Sequence, residues 1–573
     1  MSPEVPIEHA STLRQRLDEV TAERDRLAAE REKFRELYLQ MLEKCLLLER
    51  GLLGQKRERF TGHDGQLTMD VLGALLDPEP EPQGASDAPT GDPRRRAQPV
   101  GRQRPPAALP RVEVEVIPPE VQQEGLEAFE RIGEDISEVI ERRKASVVIV
   151  RVVRPKYVRK AAVIAAVIAA IDTPRDERAA PSVDNQPTLD GDAAAQEHSD
   201  GARSTAQMPF MPTVLQSPAP ELPIPRGLAG PGMLAETVVK RWLDHLPLHR
   251  LEGIYAREGL PLSRSTMCAW HLQLAELVQP LLNAMWADAR GQPYLCTDAT
   301  GVLVQAKEKC RHGHFFVVVA PGRHVLFRFS LQHDGKAVDA MLEGFRGYLV
   351  ADASSVYDHL YGHEVVFEVA CWAHLRRYYF KALSSEPELA KEALAIVGTL
   401  FQIERELENQ TSQRRSHARQ RRSLPLVERF FRWCDAKVSE VLEDTPIWRA
   451  IRYSRNHRAA FQRFLEDGRL PIHNNWSERE LRREAVGRKN WLFVGSKDGG
   501  IANANFISLL ASCQHQGIEP YAYLRDLFCL LPAWSQNRLL ELSPAEWTTT
   551  LARPDVQAEL TANLFRAVTL TDS

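Results

Sequence analysis

Cysteine is scarce in this chain, and its spacing excludes two common uses of the residue. There are eight cysteines in 573 residues, none of them in a Cys-x-x-Cys pair, and none lies between Cys45 and Cys268. Closely paired cysteines are typical of disulfide scaffolds and of structural zinc sites. We therefore expect reduced thiols in a cytosolic protein, and no bound zinc.

Long apolar runs and a strong net charge are also missing. The longest apolar run, residues 161–171, is too short to cross a bilayer. Residues 1–10 lack the basic and apolar regions of a signal peptide. We expect a cytoplasmic protein without a membrane partner. The formal net charge of -4 identifies no partner, because a DNA-binding protein can cluster its basic residues locally.

Apolar side chains recur every seven residues in the first part of the chain. Residues 1–60 contain them at Leu13, Val20, Leu27, Phe34, Met41 and Leu48, with charged residues between. This heptad pattern predicts a coiled coil, and with it a homo-oligomer. The alternative is a single amphipathic helix packed on its own domain.

Composition then divides the chain into further segments. The length and a hydrophobic fraction of 43% predict several domains with real cores. We predict a basic flexible linker, a small domain with strands at 112–116 and 146–153, and a disordered linker. These segments are residues 61–110, 111–175 and 176–220.

Residues 221–290 have a helical pattern that resembles a helix-turn-helix. A helix over residues 248–258 is followed by a turn at Gly259 and by a second helix that begins near Arg264. In that layout Arg264, Ser265 and Thr266 face base edges or phosphates in a major groove. The alternative is an ordinary pair of helices within a bundle.

Two isolated aspartates lie in or at the end of apolar, strand-like runs. We predict a strand hairpin over residues 294–304 that contains Asp298, and a strand over residues 347–352 that ends at Asp352. The order of three strands, a helix and two more strands is that of an RNase H-like α/β sheet, which places metal ligands on its first and fourth strands. The remaining predicted elements are strands at 313–320, 324–330 and 365–373 and a helix at 337–345.

A third acidic residue, Glu478, lies among arginines in residues 473–491. Asn474 or Asn475 can cap a helix whose first or second turn contains Glu478, with Arg482 on the same face. The alternative is a solvated helix with paired charges. We assign residues 291–380 to the first part of a catalytic core, 381–468 to an all-α insertion with a basic run at 414–422, 469–510 to the closing helix and following segment, and 511–573 to a C-terminal helical region.

These motifs resemble the transposases of the insertion sequence 66 family. The resemblance rests on residues 371–377 (CWAHLRR), 474–482 (NNWSERELR) and 487–493 (GRKNWLF). It implies a DDE transposase of a bacterial insertion sequence, with an RNase H-like catalytic domain interrupted by a helical insertion. The matching catalytic positions are Asp298, Asp352 and Glu478, and the implied partners are the element ends, target DNA and small accessory proteins.

The chain departs from the family pattern at two points. The family normally has a cysteine-rich zinc segment, and residues 154–159 fit that region without any ligands. The first aspartate is usually followed by an acid, whereas Ala299 follows Asp298 here. The second change removes a nearby charge but keeps the proposed ligand.

The three carboxylates suit magnesium or manganese. Hard oxygen ligands are those that Mg²⁺ prefers, and two ions about 3.5–4 Å apart activate the attacking oxygen and stabilise the leaving oxygen of a phosphodiester. Our hypothesis is that Asp298 bridges both ions, Asp352 binds one and Glu478 binds the other. Water attacks for cleavage, and the freed 3′ hydroxyl attacks for strand transfer.

Basic residues near the carboxylates are candidates for binding the DNA backbone. They are Arg376, Arg377, Arg479, Arg482, Arg488 and Lys489. The alternative for each is a solvated surface charge, and His374 is either a phosphate-orienting or a packed histidine. For the whole chain, the alternatives are a non-catalytic DNA-binding relic of a transposase and an RNase H-like nuclease without strand transfer. A cytoplasmic, nucleoid-associated location follows from the DNA partner.

Overall fold

The computed structural model describes residues 20–21, 23–24, 105–143, 146–160, 213–306, 309–363 and 365–570. The chain divides into two compact units, Met1–Gly101 and Arg102–Ser573. In the first unit the four described residues are helical. The coiled coil predicted for residues 1–60 otherwise lies outside the described residues, as do most of both predicted linkers. All elements below belong to the second unit.

A three-stranded sheet forms the small domain. Its strands are β1 (Arg111–Glu115), β2 (Phe129–Arg143) and β3 (Ser146–Arg159), in the order β1-β3-β2, and helix α1 (Pro119–Glu124) follows β1. Strand β2 was not predicted, because charged residues, a glycine and exposed isoleucines interrupt the apolar alternation along it. Residues 154–159, which the resemblance assigned to the family's zinc segment, lie on β3.

Three helices follow: α2 (Pro231–Trp242), α3 (Leu248–Arg257) and α4 (Arg264–Arg290). The turn between α3 and α4 contains Gly259 at a φ of 83°, a conformation that favours glycine. Helix α4 starts with a capping bond, because the Ser263 hydroxyl accepts from the Thr266 N–H at 3.2 Å. The 27-residue α4 also buries ten side chains. Helices α3 and α4 therefore have the order of a helix-turn-helix, and α4 is also packed as a helix of a bundle would be.

The central sheet makes this a mixed α/β protein. Its strands are β4 (Tyr294–Val304), β5 (Arg311–Ala320), β6 (His324–Ser330), β7 (Gly347–Ala351) and β8 (Val366–Ala370), in the order β6-β5-β4-β7-β8. Strands β5 and β6 run antiparallel to their neighbours, whereas β7 and β8 are parallel to β4. Helix α5 (Gly335–Leu342) connects β6 to β7, and a 3-10 helix (Ser355–His363) connects β7 to β8.

The hairpin predicted within residues 294–304 was wrong. This segment is one continuous strand of 11 residues. The turn-forming residues around Gly301 stay extended because β5 pairs with them throughout, with Asp298 opposite Val317 and Gly301 opposite His314. The antiparallel partner of this segment is thus the next strand, β5, and this pairing overrides the turn signal within the segment.

A block of helices follows β8, as predicted. It comprises α6 (Trp372–Ala382), α7 (Pro387–Glu406), α8 (Ser412–Ala418), α9 (Leu424–Lys437), α10 (Pro446–Asn456) and α11 (Arg458–Gln462), with a π-helical turn at Arg419–Ser423. Trp372 is fully buried, and its indole N–H donates to the Phe461 carbonyl at 3.0 Å. The first helix of the block is thereby fixed to the last.

The remaining elements follow the helical block in the chain. They are α12 (Asn475–Trp491), β9 (Phe493–Val494), α13 (Lys497–His515), α14 (Pro520–Leu530), α15 (Trp547–Leu551), α16 (Pro554–Ala562) and α17 (Leu564–Leu570). Helix α13 covers the edge strand β6, where the Ser508 and Ser512 hydroxyls accept from the N–H groups of Phe327 and Val325. Among the described residues, no helix is both long and apolar enough to cross a membrane.

Candidate active site

Asp298 and Asp352 lie side by side because their strands are parallel neighbours. The last residue pair between β4 and β7 is Cys296 with Val350. Two positions further on, Asp298 still lies in β4, and Asp352 directly follows the last residue of β7. Adjacent strands are about 4.8 Å apart, so the two carboxylates emerge close together at one edge of the sheet.

Glu478 reaches this edge because the start of α12 is attached to β4. Asn474 is fully buried, and its side-chain amide donates to the carbonyl of Thr297 at 2.8 Å. Thr297 directly precedes Asp298. Glu478 then lies in the first turn of α12, as the sequence predicted.

The structure corrects the role assigned to Asn474. It occupies the N-cap position of α12, but its side chain makes no capping hydrogen bond. The side chain bonds instead to Thr297 and accepts a short hydrogen bond from the Ser477 hydroxyl. The local sequence shows only that asparagine is a residue type that can cap a helix. The contact between the start of α12 and β4 could therefore not be predicted from it.

The electrostatics show that the three carboxylates form one acidic cluster. The pKa of Asp298 is raised to about 7, mainly by burial and also by the nearby carboxylates of Asp352 and Glu478. A hydrogen bond from the Ala299 N–H and the positive charge of Arg377 act in the opposite direction. Because like charges disfavour ionisation, such a cluster is stabilised by a cation.

Two side chains of α6 contact the Glu478 carboxylate. His374 Nε2 lies 3.4 Å from Glu478 Oε1, and Arg377 Nη2 lies 3.8 Å from Glu478 Oε2. The two contacts are on different oxygens, so they fix the orientation of the carboxylate. His374 is therefore in the position near the cluster that the sequence suggested, with an acidic partner.

The donor set fits a hard divalent cation. Asp298, Asp352 and Glu478 supply oxygen ligands only, which Mg²⁺ and Mn²⁺ prefer. Among the described residues, the group whose ligand atoms all lie within 4.8 Å of one another is a different one, formed by Cys371, His374 and Glu478. Burial raises the pKa of the Cys371 thiol to about 12, and its sulfur accepts from the Asn474 N–H at 3.1 Å. A neutral, hydrogen-bonded thiol is a poor ligand.

The backbone beside Asp352 is strained. Ala353 has a φ of 59°, in the left-handed region that costs an L-residue about 1–2 kcal/mol. The Ser354 N–H donates to Asp352 Oδ1 at 3.1 Å, and the Tyr453 hydroxyl donates to the Asp352 carbonyl at 3.2 Å. Tyr453 belongs to the helical insertion, so the insertion supports the second aspartate. No sequence signal linked these residues.

One of the candidate basic residues contacts the cluster directly. Arg377 contacts Glu478, and the other five, Arg376, Arg479, Arg482, Arg488 and Lys489, are exposed on α6 or α12. Arg488 also donates to the Gly301 carbonyl at 2.6 Å, which ties the end of α12 to β4.

The other three candidates lie at a different place. Arg264, Ser265 and Thr266 are exposed at the N-terminus of α4, and the hydroxyls of Ser265 and Thr266 bond to that of Ser263 at 2.8 and 2.9 Å. Among the hydrogen bonds and ion pairs of the described residues, none links these three to the carboxylates.

Two family models match the chain. The model described as "Transposase IS66 family" matches residues 226–502, and that described as "IS66 C-terminal element" matches residues 508–545. The first match contains all three carboxylates, the helical insertion and α12.

Curated relatives in Sinorhizobium fredii share the same region. The uncharacterized protein y4jD is 30% identical over 355 residues, which are 58% of this chain and 69% of the relative. The uncharacterized proteins y4qI and y4hP are 30% and 28% identical, with 58% of this chain and 65% of each relative covered. On the family matches and these relatives, the chain belongs to the IS66 family of transposases.

Proposed function

We propose that this protein is a DDE transposase that binds the ends of its insertion sequence, cleaves a strand there and transfers the freed end into target DNA. The observation that carries the proposal is the meeting of Asp298, Asp352 and Glu478 at one sheet edge. Each belongs to a different part of the fold, and the carboxylates of Asp352 and Glu478 both contribute to the raised pKa of Asp298.

The order of the central sheet supports an RNase H-like catalytic domain. In chain order, its strands are arranged 3-2-1-4-5, with the first three antiparallel and the last two parallel to the first. The first aspartate lies in the first strand and the second follows the fourth. The insertion between β8 and α12 then corresponds to the helical insertion of such transposases.

In the proposed mechanism, Asp298, Asp352 and Glu478 would hold the divalent ions. Bound Mg²⁺ or Mn²⁺ would supply activation of the attacking oxygen and stabilisation of the leaving oxygen. Asp298 must lose its proton to act as a ligand, because its pKa is near 7. Arg377 and His374 hold the Glu478 carboxylate in place.

We infer that the substrate is DNA from the exposed cations on α6 and α12. Arg479, Arg482 and Lys489 on α12 and Arg376 on α6 are exposed, and in this proposal they would contact phosphates of the bound DNA. Arg264, Ser265 and Thr266 would contact DNA away from the carboxylates, through the N-terminus of α4.

The test is Mg²⁺-dependent cleavage and joining of DNA carrying the inverted repeats that bracket the coding sequence. Replacement of Asp298, Asp352 or Glu478 by alanine should abolish cleavage and leave end binding intact. The matched control is Asp339→Ala, an exposed aspartate in the same domain. Cleavage by any of the three variants at the wild-type rate would remove that residue from the site.

The same assay separates the two alternatives. Cleaved ends without joined products would identify a nuclease of this fold, and end binding without cleavage would identify a non-catalytic relic. The proposal further includes a homo-oligomer through residues 1–60 and small accessory proteins of the same element. Sedimentation of the full chain with and without residues 1–60 tests the first of these.

A further inference from the structure

One face of α12 carries a stripe of exposed residues that starts beside Glu478. Arg479, Arg482, Val486 and Lys489 are all exposed, and they are spaced three, four and three residues apart. Residues with this spacing lie on one side of a helix. Three of the four are cations, so the stripe can follow a DNA strand away from the carboxylates.

The stripe ends at an exposed apolar tip formed by Leu303, Leu492 and Phe493. These side chains are 42%, 66% and 41% exposed, although large apolar residues are normally buried. They are neighbours, because Leu303 of β4 pairs with Phe493 of β9.

The backbone at the apolar tip is strained in a way that projects a side chain. Leu492 has a φ of 63° and a ψ of -49°, close to the γ-turn with positive φ, which is rare for any L-residue. Strain of this kind persists where the surrounding structure imposes it, and it concentrates at ligand-binding positions. A glycine would remove the strain, and the chain has leucine instead.

The apolar tip is held rigidly relative to the carboxylates. The pairing of Val304 with Val494 and a bond of 2.8 Å from the Gln305 N–H to the Val494 carbonyl attach it to the strand that carries Asp298. The apolar tip is also attached to α12, the helix that contains Glu478, because Leu492 directly follows the last residue of that helix. From Glu478 to Trp491 the helix advances by 13 positions, which is about 20 Å at the rise of an α-helix.

We propose that the apolar tip inserts as a wedge between base pairs of duplex DNA that runs along α12. This proposal rests on the proposed function. Apolar side chains between base steps unstack and kink DNA, and flanking cations hold the backbone. At 3.4 Å per base pair, a separation of about 20 Å places the unstacked step about six base pairs from the scissile phosphate.

Charge decides between DNA and a second copy of the chain as the occupant. Arg488 and Lys489 are exposed directly before the apolar tip. Two such tips packed against each other would bring like charges together, whereas DNA phosphates would neutralise them. The cations therefore favour DNA.

The experiment is permanganate oxidation of thymines in a duplex carrying the inverted repeats, with the full-length protein bound and Ca²⁺ in place of Mg²⁺. Unstacked thymines react, so the wild type should show enhanced reactivity about six base pairs from the cleavage position. The double variant Leu492→Ala, Phe493→Ala should lose the enhancement. Leu442→Ala is the matched control, since Leu442 is 63% exposed within the insertion.

Three results would overturn the wedge. They are a wild-type pattern without enhancement, an unchanged pattern in the double variant, and a change of sedimentation in the double variant, which would make the apolar tip an interface between copies. Both substituted side chains are exposed, so the variant should keep the wild-type melting temperature. Mg²⁺-dependent cleavage by the wild type is measured separately, so that a failed wedge differs from a failed transposase.

Discussion

Replacing Asn474 by alanine tests how the structure brings Glu478 to the two aspartates. Asn474 is the buried link between α12 and β4, through its amide and the Thr297 carbonyl. The substitution removes this donor and leaves a small void. Because Thr297 is also fully buried, water cannot replace the lost bond.

The expected cost follows from the burial of both partners. An unsatisfied buried polar group costs about 1–3 kcal/mol, and we expect Asn474→Ala to lower the free energy of unfolding by that amount. Asn474→Asp has nearly the same shape, but it sets a carboxylate against the Thr297 carbonyl in a buried position. It should therefore be less stable than Asn474→Ala, by a further 1 kcal/mol or more, roughly.

Thermal unfolding and end cleavage measure the two consequences. The matched control is Asn490→Ala on the same helix, where the amide makes only a long bond of 3.4 Å to the Val486 carbonyl. It should change stability by less than about 0.5 kcal/mol. We expect cleavage to fall about tenfold or more in Asn474→Ala, since a misplaced ligand weakens the transition state. If both Asn474 variants were as stable as Asn490→Ala, the buried bond from Asn474 to the Thr297 carbonyl would not stabilise the fold.

Three further substitutions test other parts of the fold. Burial raises the pKa of Glu141 from 4.5 to about 8, so stability should fall as pH rises between these values, and melting curves of Glu141→Gln should show a smaller fall. Arg419 is fully buried and paired with Glu404, so Arg419→Lys should lower the free energy of unfolding by about 3–5 kcal/mol, whereas the exposed control Arg422→Lys should change it little. At the left-handed Ala353, valine should cost about 1–2 kcal/mol of stability in denaturant titrations and glycine should be tolerated.

Local patterns predicted much of the central sheet. The strand at residues 324–330 has the predicted bounds, and those at 313–320, 347–352 and 365–373 are present with ends shifted by one to three residues. Apolar runs bounded by turn residues are sufficient for this, because these strands are buried on both faces. The mistaken hairpin at Gly301 shows the limit, since only the pairing with β5 keeps that segment extended.

The basic run at residues 414–422 shows a second limit. The sequence presents these arginines alike, but the structure separates them. Arg419 is buried and donates to Glu404 and to the carbonyls of Phe464, Asp467 and Leu470, whereas Arg414 and Arg421 are exposed. A π-helical turn at Arg419–Ser423 interrupts the helix there. Which arginine is buried depends on residues about 45–50 positions away, and a charge pattern does not encode it.

The sequence identified the candidate carboxylates of the site, but not the side chains that contact them. Acidic residues in apolar strands stand out in a sequence, so Asp298 and Asp352 could be found. The contacts from His374 and Arg377 to Glu478, and from Tyr453 to Asp352, join elements far apart in the chain. They became visible only with the fold.

The central claim is that Asp298, Asp352 and Glu478 together bind divalent cations, and iron-mediated backbone cleavage tests it most directly. With added hydrogen peroxide and ascorbate, Fe²⁺ in the magnesium position is oxidised to Fe³⁺ as it reduces the peroxide to hydroxide and a hydroxyl radical, and this radical cuts the nearest polypeptide. If the three carboxylates bind cations together, cuts should appear near all three residues, Mg²⁺ should suppress them, and Asp298→Ala should lose all of them. Cuts confined to one of the three segments, or unchanged cuts in Asp298→Ala, would contradict it.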